Sequence, residues 1–396
     1  MKPRGPAFRA LAVAGAVGLC TTASSARDAN RVHVFVLGRG TAKAACEGLD
    51  SSNANQTRVR FPRNPELSFR ARLPGGIGQA PASDEAGNLL VVHGEPRLSK
   101  LDAKARTLWT ERLPSEASCS PVLTSDGSIL IVTRDAEALA FSASGKLSGR
   151  RSLPLSDPRR RTTAIPTSRG GILIASGSDV LELDQTLRIV LHTRAKGSVT
   201  ALAESGAQRI AVSENGTVEV ARESGELEVL GNLGGSAPEG AAVQGGKVFA
   251  VIDAHKFVAL DLASGQAVTL ALDLASMLTG PAVLLGTRGA AFVADNGFVS
   301  LRDRQGTETL RVAISAAGAG FDLARSLRGT RLIGDDDGAL AAVQPGNDAL
   351  LLAADGSAVR LDGTSCIDPF RPTPTTQGIV LACRSGQLFG VSGKVP

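Results

Sequence analysis

The sequence predicts an all-β fold, a β-propeller of four-stranded blades closed by an N-terminal strand. Three observations carry this: short β-branched and leucine runs recur at a near-constant interval, glycine turns precede them, and none of these segments has a long amphipathic helical period. The composition agrees. The 396 residues are 43% hydrophobic and 20% charged, an ordinary globular balance with enough apolar material for a large core.

The first 26 residues form an expected export signal. Lys2, Arg4 and Arg9 supply a basic start, Ala10 to Leu19 an apolar run too short to anchor in a bilayer, and Ser24 and Ala26 the small residues of a cleavage site; cleavage after Ala23 also fits. Acylation of Cys20 is the alternative, giving a lipid anchor, although Leu19 stands where a small residue is expected. Residues 27–63 then read as an N-terminal extension or linker and 64–396 as the propeller. No later run approaches the roughly 20 apolar residues of a membrane-spanning helix. The mature chain is expected to be a periplasmic or extracellular monomer.

The core runs are Leu89 to Val92, Ile129 to Val132, Ile172 to Ala175, Arg209 to Val212, Val248 to Val251, Ala290 to Val293, Ala349 to Leu352 and Ile379 to Ala382. Their mean spacing, about 41 residues, is that of one four-stranded blade. Turns such as Ser125-Asp126-Gly127 and Gln244-Gly245-Gly246 come before them, with glycine supplying the positive φ of a tight hairpin. A second short strand follows most runs, as in Ser99 to Asp102, Ala138 to Phe141, Val180 to Asp184, Val258 to Asp261 and Val299 to Arg302. Eight blades result if every run counts. Between Ala290 and Ala349 the interval is too long, and the excess, Ala316 to Asp337, is either an irregular insertion or hides a misassigned strand; seven blades is the alternative count.

The chain ends explain closure. The last unit, Arg371 to Lys394, holds only three strands, whereas Pro65 to Pro74 reads as an outer strand standing before the first blade. Added to the last blade, it latches the ring and leaves no half-built sheet.

Phe257-Val258-Ala259-Leu260-Asp261-Leu262-Ala263-Ser264-Gly265-Gln266 resembles the core of the PQQ-like β-propeller repeat family, and Ala138 to Lys146 repeats it more loosely. Leu101-Asp102-Ala103 followed by Thr107-Leu108-Trp109 resembles the family's outer strand, and in Pro65 to Pro74 Phe69 stands in place of the tryptophan. The likeness runs from about Asn64 to Lys394. It implies the propeller, and in outline it is similar to the non-catalytic propeller subunit of outer-membrane β-barrel assembly.

Of the five cysteines, Cys46, Cys119, Cys366 and Cys383 remain once Cys20 is lost, an even count that suits an oxidising compartment. Three pairings exist. Cys366 with Cys383, bracketing one hairpin, is preferred, which leaves Cys46 with Cys119; buried free thiols are the alternative.

Catalytic motifs are sparse. His33, His93, His192 and His255 show no metal-pair spacing, and the chain lacks a Gly-x-Ser-x-Gly elbow, a phosphate loop and a Cys-x-x-Cys pair. Gly334-Asp335-Asp336-Asp337-Gly338 is read as a solvated turn rather than a Ca²⁺ loop, since three adjacent carboxylates cannot all face one ion. Arg159-Arg160-Arg161 is the main basic cluster, read as a solvated loop or a dock for an acidic partner. With no tyrosine, one tryptophan and a formal charge of +5 that falls to about +2 once the leader is removed, nucleic-acid binding is not expected. The quinone-binding enzymes that the family resemblance brings to mind imply adjacent cysteines and a tryptophan platform, and neither is present: Trp109 falls on an outer strand. The expectation is therefore an exported, non-catalytic scaffold without cofactor or metal, binding envelope or secreted proteins. A quinoprotein-like dehydrogenase or a small-ligand receptor using the central channel is the competing reading.

Overall fold

The computed structural model describes residues 56–57, 59–94, 96–157, 162–221, 225–238, 240–253, 255–270, 278–284, 289–294, 298–303, 307–313, 330–335 and 337–393. All of its regular structure is β, and eight sheets form an eight-bladed propeller.

In chain order, β1 (Gln56–Thr57) and β2 (Glu66–Arg72) come before the first complete blade, β3 (Ala82–Ser83), β4 (Leu89–His93), β5 (Arg97–Leu101) and β6 (Thr107–Arg112). Blade two is β7 (Val122–Leu123), β8 (Ile129–Val132), β9 (Glu137–Phe141) and β10 (Leu147–Ser152). Blade three is β11 (Thr162–Pro166), β12 (Ile172–Ser176), β13 (Asp179–Leu183) and β14 (Ile189–Arg194); blade four is β15 (Val199–Ser205), β16 (Gln208–Ser213), β17 (Thr217–Ala221) and β18 (Leu227–Asn232). Blade five comprises β19 (Ala241–Gln244), β20 (Lys247–Ile252), β21 (Lys256–Asp261) and β22 (Ala267–Leu270). Blade six comprises β23 (Leu278–Leu284), β24 (Ala290–Ala294), β25 (Phe298–Arg302) and β26 (Glu308–Ala313). Blade seven follows with β27 (Arg331–Asp335), β28 (Leu340–Val343), β29 (Ala349–Leu352) and β30 (Ala358–Leu361), and β31 (Thr373–Thr375), β32 (Gly378–Ala382) and β33 (Gln387–Ser392) end the chain.

Each blade is an antiparallel meander. First strands touch first strands around the ring, β3 to β7 and on through β11, β15, β19 and β23 to β27, with β31 returning to β3; they therefore surround the axis, and the fourth strands form the rim. Apolar side chains are buried between successive blades, so that clusters such as Leu90, Leu98, Ile129 and Leu139, or Ile333, Val343, Ile379 and Leu381, cement neighbouring sheets.

The repeat motif has a local mechanical reason. Its aspartate closes the turn between the third and fourth strands: Asp102 Oδ1 accepts the amides of Lys104 (2.9 Å) and Arg106 (2.8 Å), and Asp261 Oδ1 those of Ala263 and Ser264. The glycine that follows serves the joint between blades. Trp109 on β6 lies over the equivalent turn of blade two, its indole donates to Ala143 O (3.2 Å), and a Cβ on Gly145 (φ 89°) would sit 2.7 Å from the ring. Leucines take the tryptophan's place farther round, with Leu191 facing Gly225 and Leu310 facing Gly356.

The predicted latch is present. β2 pairs antiparallel with β33, Glu66 opposite Ser392 and Arg72 opposite Gln387, and completes blade eight. The phase of blade seven needs correction. Ala349–Leu352 is its third strand; the second is Leu340–Val343 and the first is Arg331–Asp335. The long interval thus hid a misassigned strand: 331–335 belongs to a blade, not to an insertion, while 314–329 lies outside the described residues. Two equally apolar runs in one blade made the third strand look like the second. A further strand, β1, lies within the stretch expected to be linker and pairs in parallel with β27.

Candidate functional site

Cys366 and Cys383 form a disulfide with Cα atoms 5.8 Å apart, flanking the hairpin β31–β32 as expected. Cys119 is buried in the apolar cluster joining blades two and three, and Cys46 lies outside the described residues. So do His33 and the Arg159-Arg160-Arg161 cluster.

The acidic stretch is not a solvated turn throughout. Asp335 is buried at the end of β27, where Oδ2 accepts Phe61 N (2.9 Å) and Oδ1 accepts Ala339 N (2.8 Å). Burial raises its pKa, against those two hydrogen bonds. Asp337 is half exposed and bridges Arg60 (3.1 Å). Asp336 lies outside the described residues. Asp335 therefore acts as a peg for the incoming chain. Beside it a cleft of about 300 Å³ opens between Phe61-Pro62-Arg63 and the turns of blade seven, lined also by Asp355 and Ser357.

Among the histidines, His192 is exposed and His255 Nδ1 donates to its neighbour Asp253 O at 2.6 Å. His93 makes the one arrangement with a catalytic outline: Nε2 lies 2.7 Å from Ser99 Oγ, which lies 2.7 Å from Thr110 Oγ1, while Nδ1 sits 3.4 Å from Pro74 O. Burial holds the imidazole below its ordinary pKa, in the neutral form that a base requires. Access decides against that role. Ser99 is 1% exposed and His93 5%, so no substrate carbon reaches the hydroxyl, and no carboxylate orients the ring. The three side chains satisfy one another across β4, β5 and β6.

The polar interior is concentrated between blades three and four. Arg209 on β16 meets Glu182 on β13 in a two-pronged pair (Nε 2.7 Å, Nη2 3.0 Å), both side chains buried. Nearby, Glu204 accepts Ser168 N (2.6 Å) and Ser168 Oγ (2.8 Å), and burial raises its pKa. Glu219 Oε2 accepts Lys196 N (2.8 Å) while Oε1 has no partner; its pKa is also raised by burial. These carboxylates had no sequence signal, because an acid inside a strand is distinguished from a surface one only by the neighbouring blade. Among the described residues no three His, Cys, Asp or Glu side chains converge as metal ligands.

What the surface offers instead is a rim. Leu108, Leu147, Val190, Val229, Val268 and Val359 are the large apolar side chains exposed on fourth strands, one on each of six blades, and Ile367 is exposed beside the disulfide. The six stand singly, one to a blade, on the outer strands of the ring.

The fold and its repeat define a PQQ-like β-propeller. Residues 51–305 match the family model described as outer membrane protein assembly factor BamB, and the chain belongs to that family. Among solved structures, BamB from Moraxella catarrhalis superposes with a TM-score of 0.61 at 12% identity, covering 83% of this chain and 100% of that one. The computationally designed Ika8 protein does so at 0.64 and 13%, covering 83% and 100%, and a streptogramin B lyase at 0.51 and 13%, covering 84% and 99%. At such identities the likeness is one of fold alone. No curated protein matches the sequence.

Proposed function

We propose that this chain is an exported, non-catalytic scaffold that holds other proteins of the bacterial cell envelope through its rim and loops. The observation that carries the reading is the family match over 51–305, a family described as an outer membrane protein assembly factor. The rim supports it, supplying free strand edges and exposed apolar side chains on six blades. Residues 1–26 act as the export signal, with acylation at Cys20 as the lipidated variant, and the mature chain works as a periplasmic or extracellular monomer without a cofactor. No helix among the described residues is long and apolar enough to cross a membrane.

A photo-reactive residue placed at Leu108, Val190 or Val268 in cells tests this. Adducts with one reproducible set of envelope proteins are expected, and they should fade when the neighbouring exposed side chain is made acidic. Reconstitution with Ca²⁺ and a quinone is the opposing test: a stoichiometric chromophore with dye reduction would overturn the non-catalytic assignment.

A further inference from the structure

The chain crosses blade seven as a strap. β1 pairs with β27 on the axis side of that blade, Asp335 then holds Phe61, and Pro62 and Asn64 pass beside Gly393 before β2 begins on the rim. Between this strap and the turns of blade seven lies the cleft of about 300 Å³. Pockets for small molecules run from roughly 300 to 1,000 Å³, so this one stands at the lower end, a size for one or two side chains.

Its walls combine two chemistries. Leu351 on β29 and Val359 on β30 stand opposite each other and, with Phe61, make the lining apolar. Val359 is 40% exposed, which brings the cleft out to the rim. The charged lining is three carboxylates, Asp335, Asp337 and Asp355, against one guanidinium, Arg63. Asp335 is engaged by two backbone amides and Asp337 by Arg60. Asp355 is exposed, and its Oδ1 accepts the hydroxyl (2.7 Å) and the amide (2.9 Å) of Ser357. Those bonds hold its carboxyl below the usual range, so it is ionised at neutral pH.

Such a cleft selects by exclusion. An anionic group is repelled by the surplus of carboxylates, and a purely apolar one leaves them without a counter-charge. A lysine or arginine satisfies both walls, because its alkyl stem covers apolar surface while its cationic head stays at the wet, charged edge.

We propose that this cleft receives a lysine or arginine side chain of a partner protein, the stem lying along Leu351 and Val359 and the head meeting Asp355. This rests on the scaffold reading and gives it a chemistry: the partner presents a basic residue to blade seven.

Methyl NMR of the full chain labelled at leucine and valine tests the site with acetyl-Leu-Arg-Leu-amide. The citrulline version of the peptide, which keeps the shape and lacks the charge, is its control. Saturable shifts at the Val359 and Leu351 methyls are expected with the arginine peptide, weakening as salt rises. The citrulline peptide should bind about three- to fivefold more weakly, the scale of a solvent-accessible ion pair. Asp355→Asn keeps an oxygen for Ser357, so the turn persists, and on this variant the two peptides should bind alike. Equal affinities on the parent chain, a preference that survives undiminished in Asp355→Asn, or shifts only away from the cleft would overturn the proposal. The rim cross-links from Leu108, Val190 and Val268 judge the scaffold reading separately. Adducts there without cleft binding would overturn this proposal alone, and cleft binding without adducts would uphold the cleft and overturn the scaffold.

Discussion

The N-terminal segment fastens the ring twice, and the two fastenings differ in kind. At the rim, β2 contributes seven residues in antiparallel register to blade eight, buries Leu67 and Phe69 in part against its neighbours, and completes a sheet that would otherwise have three strands. Inside the ring, β1 contributes two residues in parallel to a blade that already has four, and depends on one buried carboxylate, Asp335, to hold Phe61. The first closes the fold; the second positions a chain within it. A long ladder with apolar cover is a stability element, whereas a two-residue ladder held by a polar peg is a small contribution on which the route of the chain nevertheless depends.

The largest effect expected is from deleting residues 65–74. The melting transition should fall sharply and broaden, because blade eight loses its fourth strand and its hold on blade one; an unchanged transition in calorimetry would remove the latch from this comparison. Next is the disulfide in the same blade. Cys366→Ser with Cys383→Ser should cost about 3 kcal/mol in denaturant unfolding, from the entropy of a loop of this length in the unfolded chain. A loss far smaller than that would mean that β2 alone carries the closure.

At the strap the effects shrink. Asp335→Ala should cost about 1–3 kcal/mol by leaving the amides of Phe61 and Ala339 without their acceptor. Its pH dependence has a definite sign: the folded pKa is raised above the unfolded value, so the stability tied to the protonated group is full below the unfolded pKa and is lost as pH rises through the folded one. Asp184 and Asp355, held low by the hydroxyls of Thr186 and Ser357, act oppositely and lose their contribution as pH falls through their folded values. In Asp335→Asn the first of these dependences should vanish from the pH profile of unfolding while the second stays. Smallest of all, Arg60→Ala should change stability by less than about 0.5 kcal/mol, since its bridge to Asp337 is half exposed.

Much of this architecture was legible in the chain. The second and third strands of most blades, such as Ile129–Val132 with Glu137–Phe141, were visible because a strand buried on both faces is apolar without interruption and its turn is closed by an aspartate and a glycine. The latch was visible from the missing strand of the last unit, and the pairing of Cys366 with Cys383 from the hairpin between them. Blade seven was misphased because Leu340–Val343 and Ala349–Leu352 are alike in composition, and only the ladder with β27 tells second from third. The buried trio Glu182, Glu204 and Arg209 was silent for the same kind of reason: its members approach across two blades.

The chain by itself determined the β fold, the blade repeat and the closing strand, and favoured one cysteine pair, all of which are written in local periodicity, turn chemistry and counting. Tertiary structure alone decided that Asp335 is a buried peg, that Ser99 and His93 are sealed from substrate, and that β1 lies on the axis side of blade seven. Each of those depends on contacts between distant residues, as between Phe61 and Asp335, 274 positions apart, and on the exclusion of water, which no local pattern encodes.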